Sequence, residues 1–163
     1  MPNRNLATAL KSYYGVKEPI YFKNASAGLY QSISDIEKGL SEIYRKVTSV
    51  KGIIYQINTL GGKINEIKSS ATAYPHRDVN YLSELQSYWD KPEQEKTLVT
   101  TFEEIQRLLR DLGNTKQYRN YPDINFPNAN TSYYGNNLKR LQELKVKYDP
   151  KNTFDYPQVI SCK

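Results

Sequence analysis

The clearest periodicity in the chain lies in KPEQEKTLVTTFEEIQRLLRDLGN, Lys91–Asn114, where Leu98, Phe102, Ile105, Leu109 and Leu112 recur at helical spacing. Pro92 stands near its start, acidic residues crowd its first turns and Gly113 lies just past its end, as the ends of a helix favour. A second helix is predicted over Ser32–Ser49, with Ile36, Leu40, Ile43, Tyr44 and Val47 on one stripe. Ser34 and Glu37 there have capping-box spacing. A third is predicted over about Tyr133–Lys147, with Leu138, Leu141 and Leu144 inward and Asp149-Pro150 as the stop. KGIIYQINTL, Lys51–Leu60, reads as a strand rich in β-branched residues, followed by a turn at Gly61-Gly62. VNYLSELQSYW, Val79–Trp89, fits either period, and its length and aromatic end favour a strand. A short strand is expected near Ile20–Lys23, with a turn after it. Pro75 forbids a central ladder bond at its position. Strands interleaved with amphipathic helices predict an α+β fold, a mainly antiparallel sheet with helices packed on one face.

No internal repeat, low-complexity tract or linker divides the 163 residues, a length that suits one domain. We therefore expect an irregular segment over residues 1–19 and a single domain over 20–163. No apolar run is long enough to span a membrane, and the N-terminal stretch lacks the apolar core of a signal peptide. The default expectation is a cytoplasmic protein without membrane contact.

Composition changes this picture at one point. There are 15 tyrosines against 4 phenylalanines and 1 tryptophan. Tyrosine buries a ring while keeping a hydroxyl near water or ligand, which suits a half-polar cleft or interface. A codon bias towards Lys, Asn, Tyr and Ile accounts for the excess equally well. QYRNYPDINFPNANTSYYGNNLKRL, Gln117–Leu141, concentrates four tyrosines and six asparagines, mostly ahead of the third helix. Loops of this kind carry function more often than core packing does.

The net charge of +6 is scattered, with no basic arm, so a solvated basic surface explains it better than nucleic-acid binding by tyrosine stacking. The single cysteine, Cys162, and the single histidine, His76, exclude an internal disulfide and any Cys/His metal spacing. Gly61-Gly62 lacks the spacing of a phosphate loop. His76 beside Arg77 is either an anion site or a local structural pair, and the structural role is favoured.

Order adds what composition does not. NTLGGKIN, SSATAYPHRD, LQSYW, YRNYPDIN and YYGNNLKRLQELKVKYDPKNTF follow one another between Tyr21 and Ile160. In that order and spacing they resemble the C-terminal part of berberine bridge enzyme-like FAD-linked oxidases, and the bacterial aclacinomycin oxidoreductase-like branch most of all. The resemblance implies a substrate domain whose antiparallel sheet forms one wall of the cavity over a flavin ring. It also implies an N-terminal FAD-binding domain, of which this chain holds nothing.

Carried over residue by residue, the resemblance makes Tyr121 a catalytic base. Tyr118 and Asn120 match positions that line or contact the flavin, and Asn58 and Leu85 match positions of the substrate cavity. Leu85 stands where the branch carries a second active-site tyrosine. Other branches place a glutamate near this strand, and Glu84 is one residue out of register with that position. A phenol of ordinary pKa near 10 needs a lowered pKa or a coupled hydride acceptor to act as a base. The implied cofactor is FAD, present only if a partner supplies the FAD-binding domain. The implied partner is a separate FAD-binding chain, or a second copy paired through the vacated face. Two readings follow: a subunit or fragment of an FAD-dependent oxidoreductase, inactive without that partner, or a stand-alone, non-catalytic binding module.

Overall fold

The computed structural model describes residues 20–161, so residues 1–19, Cys162 and Lys163 lie outside the described part. Three strands form one antiparallel sheet in the order β1 (Tyr21–Tyr30), β3 (Tyr81–Trp89), β2 (Ile53–Thr59). On the helical side lie α1 (Ile33–Glu37), α2 (Leu40–Ser49) and the long α4 (Glu95–Asp111). A one-turn α3 (Lys63–Glu66) follows β2, and α5 (Ala129–Tyr134) and α6 (Leu138–Tyr148) end the fold. The α+β class read from the periodicity is the one observed. No helix among the described residues is long and apolar enough to cross a membrane.

Central β3 pairs with both neighbours, Ala25 and Tyr55 standing opposite Leu85. Because side chains alternate along a strand, Leu85, Ser87 and Trp89 share the face that the helices cover. There Leu85, Phe102 and Ile105 are fully buried with Ala25, Ala27 and Ile43. Full burial of each large apolar side chain contributes about 1.5–3 kcal/mol. The two alanines are small because α4 lies directly over β1.

Three local expectations change. The strand expected to end near Lys23 runs on to Tyr30. A bulge between Ser26 and Gly28 breaks its alternation, and its small residues are buried rather than exposed as in a turn. Its outer edge is also covered, since the Ser26 N–H donates to the Tyr121 carbonyl at 2.8 Å and the Leu29 N–H to that of Lys116 at 3.2 Å. The helix expected over 32–49 is two helices, broken at Gly39, whose φ of 74° is left-handed. The cap lies at Ser32, whose N–H donates to the Asp35 carboxylate at 3.2 Å, and not at Ser34 and Glu37.

The last helix begins earlier than expected and is interrupted by a 3-10 turn at Gly135–Asn137. Leu138, Leu141 and Leu144 are only half-buried, and α6 has no buried residue. What holds it is polar. Asn137 Nδ2 donates to the Ser69 and Thr72 carbonyls at 2.6 and 3.0 Å. Asp149 closes the far end as the sequence suggests, accepting from the N–H groups of Thr153 (2.6 Å) and Phe154 (3.1 Å) and pairing with Lys145.

Candidate functional site

The sheet face away from the helices is half-polar. By alternation it carries Phe22 and Asn24 of β1, Ile54, Gln56 and Asn58 of β2, and Leu82, Glu84, Gln86 and Tyr88 of β3. Side-chain bonds confirm the shared face. Asn24 Nδ2 donates to Glu84 Oε1 at 3.2 Å, and Gln56 Nε2 to Asn58 Oδ1 at 2.9 Å. The Tyr88 hydroxyl donates to Gln86 Oε1 at 3.1 Å. Phe22 is 62% exposed and Ile54 43% exposed on this face, an apolar area with no cover among the described residues.

The Tyr/Asn loop runs along the rim. Its backbone bonds to β1 are reinforced by the Tyr118 N–H donating to Ser26 Oγ at 3.0 Å. An ion pair between Lys23 Nζ and Asp123 Oδ1 at 3.1 Å ties the loop down further. Lys23 also lies 5.0 Å from the Phe102 ring centre, so the pair roots the loop in the helix-side core. The sequence places Asp123 two residues after Tyr121, so this anchor sets where Tyr121 sits.

Tyr121, Tyr118 and Tyr74 meet edge to face. The Tyr121–Tyr118 centroids are 5.2 Å apart and the Tyr118–Tyr74 centroids 6.0 Å, and the ladder ends with His76 at 5.5 Å from Tyr74. Asn120 Nδ2 donates to the Tyr118 hydroxyl at 2.9 Å. The three tyrosine rings, with Leu82, line a groove of about 550 Å³.

Tyr121, Tyr118 and Asn120 are therefore brought together, and Asn58 lies on the adjoining sheet face. Leu85 is not part of this group. It points into the helix-side core and is fully buried against it, so the expectation that it lines the cavity is corrected. The side chain that β3 does present beside Tyr121 is Glu84, whose charge acts on the phenol. Strand parity carried this signal, since neighbouring residues face opposite ways. Tyr74 was also missed, because SSATAYPHRD reads as an irregular stretch.

Electrostatics limit what the group does unaided. Burial, then the Glu84 carboxylate and the Tyr118 phenol, push the Tyr121 hydroxyl above its ordinary value. At neutral pH it is a hydrogen-bond donor, not a base. Burial likewise pushes Tyr74 up to about 12, against the opposing pull of Arg77. His76 is held below its ordinary value, chiefly by burial, and Nε2–H donates to the Ser132 carbonyl at 3.0 Å. Arg77 donates to the Ile64 carbonyl (3.3 Å) and Thr72 Oγ1 (2.8 Å) and lies 4.8 Å from the Tyr74 ring centre. The His76-Arg77 pair is thus a local clamp, as favoured from sequence.

Comparisons with known proteins agree with this geometry. Residues 117–161 match the family model "Berberine and berberine like". Two uncharacterized FAD-linked oxidoreductases of Bacillus subtilis are similar in sequence. YvdP is 35% identical over 61% of this chain and 22% of its own length, and YgaK is 30% identical over 88% and 34%. Among solved structures, Physcomitrella patens BBE-like 1 superposes with a TM-score of 0.78 at 23% identity, covering 94% of this chain and 33% of that one. Aclacinomycin oxidoreductase shares the fold at TM-score 0.72 and 18% identity, over 88% of this chain and 33% of its own. The chain spans about a third or less of the length of each. In sequence, in fold and in the loop that carries Tyr121, this chain belongs to the berberine bridge enzyme-like family of FAD-linked oxidoreductases.

Proposed function

We propose that this chain supplies the substrate-side wall of an FAD-dependent oxidoreductase site, and that the flavin is held by an FAD-binding unit docked on the open sheet face. The observation that carries this reading is the pairing of polar and apolar groups there. Tyr121 stands near Glu84, Gln56 lies opposite Glu84 and bonds Asn58, and exposed Ile54 and Phe22 continue the same face towards its other end. A single exposed apolar residue needs no explanation, but a patch next to convergent polar groups marks an interaction face.

The residues fit one wall of such a site and no more. Amides, a phenol and a carboxylate suit the edge of a flat heteroaromatic ring and a substrate hydroxyl. Among the described residues, Gly61-Gly62 before the four-residue α3 is too short a structure to cradle a diphosphate. FAD, when bound, supplies the acceptor for the electrons removed from substrate. Tyr121 would hold the substrate hydroxyl by hydrogen bond and, once it has given up its own proton to become the phenolate, receive that of the substrate. Glu84, a nearly buried carboxylate bonded to Asn24, is the second polar group on that face that would contact the substrate. Burial and the Glu84 carboxylate hold the Tyr121 phenol above its ordinary value here, which disfavours proton removal by the chain alone. In this reading the docked unit changes the surroundings of Tyr121 and brings it into action.

The test is an absorbance spectrum of the purified chain, first with FAD and then with an FAD-binding chain of the same family. Flavin bound near 1:1 only with the partner is expected, with Phe22→Asp blocking assembly and Tyr121→Phe abolishing turnover in the assembled protein. Failure to bind flavin under either condition overturns the reading. A dimer broken by Phe22→Asp would then favour the stand-alone module, its open face covered by a second copy.

A further inference from the structure

The groove beside Tyr121 has a charge pattern that the redox reading does not use. Its lining holds two arginines, Arg77 and Arg119, and no carboxylate. Nearby Asp78 is engaged elsewhere, paired with Lys116 at 2.7 Å. Arg77 gives its two Nη groups to the Ile64 carbonyl and Thr72 and packs on the Tyr74 ring, with only its buried Nε left unpaired among the described residues. Arg119 is different. Among the described residues its guanidinium has no ion pair and no hydrogen-bond acceptor, yet it is half-buried. Two rings hold it: it lies 5.3 Å from the Tyr133 centroid and 5.9 Å from that of Tyr156. Tyr133 is itself fixed, 2% exposed, with its hydroxyl donating to Gln158 Oε1 at 3.2 Å.

A guanidinium seated on aromatic faces is already ordered and partly desolvated, so little further entropy is lost when its fork meets an anion. The charges on the lining itself are both positive, with the Glu84 and Asp123 carboxylates behind Tyr121 and Tyr133, and a concave wall of this kind raises the local concentration of anions near Arg119. The edge-on rings of Tyr74, Tyr118 and Tyr121 next to it offer surfaces for a flat or cyclic body.

We propose that Arg119 anchors the carboxylate of an acidic, ring-bearing small molecule in this groove. The inference rests on reading the groove as the substrate side of the site, and it names the class of substrate. The ring is either aromatic or a sugar, since both stack on tyrosine.

The experiment is calorimetric titration of the full chain, without flavin or partner. One arm compares 2-naphthoate with 2-naphthylmethanol, the other glucuronate with glucose. In at least one arm the acid is expected to bind at least about tenfold more tightly than its neutral counterpart, the worth of one charge-assisted hydrogen bond. Which arm responds identifies the ring. Arg119→Gln should erase the preference, and Arg119→Lys should keep part of it, since the charge stays while the fork is lost. Unchanged thermal unfolding of both variants shows that the fold is intact. Equal binding of acid and neutral forms, no acid binding in either arm, or a preference that survives Arg119→Gln overturns the proposal. Because flavin is absent from these titrations, failure to dock an FAD-binding unit and failure to bind acids are separate results.

Discussion

Replacing Asp123 by alanine tests how the loop that carries Tyr121 is seated. The Lys23–Asp123 pair is 3.1 Å long, with the side chains 18% and 6% exposed. At an effective dielectric constant of about 20 the gross attraction is about 5 kcal/mol, offset in part by the desolvation of both ions. Removing one partner of a buried pair typically costs about 3–5 kcal/mol. Lys23 keeps some access to water and its contact with Phe102, so the low end, about 3 kcal/mol, is expected here. Asp123→Ala also removes the acceptor of the Asn125 N–H at 3.1 Å. With a urea m-value of about 2 kcal/mol/M, the unfolding midpoint should fall by about 1.5 M. Lys23→Met and the double variant complete a cycle whose coupling energy should be about 2 kcal/mol. Hydrogen exchange at the Ser26 amide, which donates to the Tyr121 carbonyl, should speed up in Asp123→Ala. A midpoint shift under about 0.5 M, or a coupling energy near zero, would refute the view that this pair seats the loop.

Other consequences are equally open to measurement. Gly28→Ala places a Cβ 1.6 Å from Asn114 Nδ2 at a φ of +122°. Asn114 is held by the Ala27 carbonyl and the Tyr30 hydroxyl, so a loss of about 3 kcal/mol or more is expected in urea unfolding, and Asn114→Gly in the same chain should recover the steric part. His76 has a lowered pKa, so its stabilising contribution is full above its unfolded value of 6.5 and is lost as pH falls through the folded value. His76→Gln should flatten the stability profile below pH 6.5. Tyr74 is raised, so its contribution is full below pH 10.0 and is lost as pH climbs to about 12, a decline that Tyr74→Phe should remove. Glu84→Gln should bring the Tyr121 phenol back towards its ordinary value, read by carbon NMR of labelled tyrosine; no movement would leave burial and the Tyr118 phenol as the causes.

Much of the fold was legible because α4 and β3 have long, unmixed patterns. Leu98, Phe102, Ile105 and Leu109 of α4 all enter the core as their spacing requires, while Leu112, past the last turn, stays 38% exposed. β1 was hidden for a physical reason. Ala25, Ala27 and Gly28 are small because α4 and Asn114 press on them, and the bulge disrupts strict alternation. The break at Gly39 was not carried by the helical stripe, because it rests on a left-handed φ and on a tertiary contact, a Cβ there meeting Leu112 Cδ1 at 2.4 Å. In the site, the order of motifs located Tyr118, Asn120 and Tyr121, which local pattern alone left as a wet turn. Leu85 was misplaced because a match in spacing says which residue aligns, whereas strand parity says which face it meets. Arg119 had no sequence signal, because its distinction is the pair of rings that hold it.

The way α6 is attached has a consequence for how the chain comes apart. Its backbone bonds are internal, no side chain is buried, and Val146 and Tyr148 are 49% and 72% exposed. Opening it uncovers three half-buried leucines but no core residue, so it should open below the free energy needed to melt the sheet. α6 is then a separate cooperative unit: its amides exchange first, and limited proteolysis cuts there before it reaches β3. A nick in α6 would leave a trimmed chain that still carries the whole sheet and the Tyr121 loop.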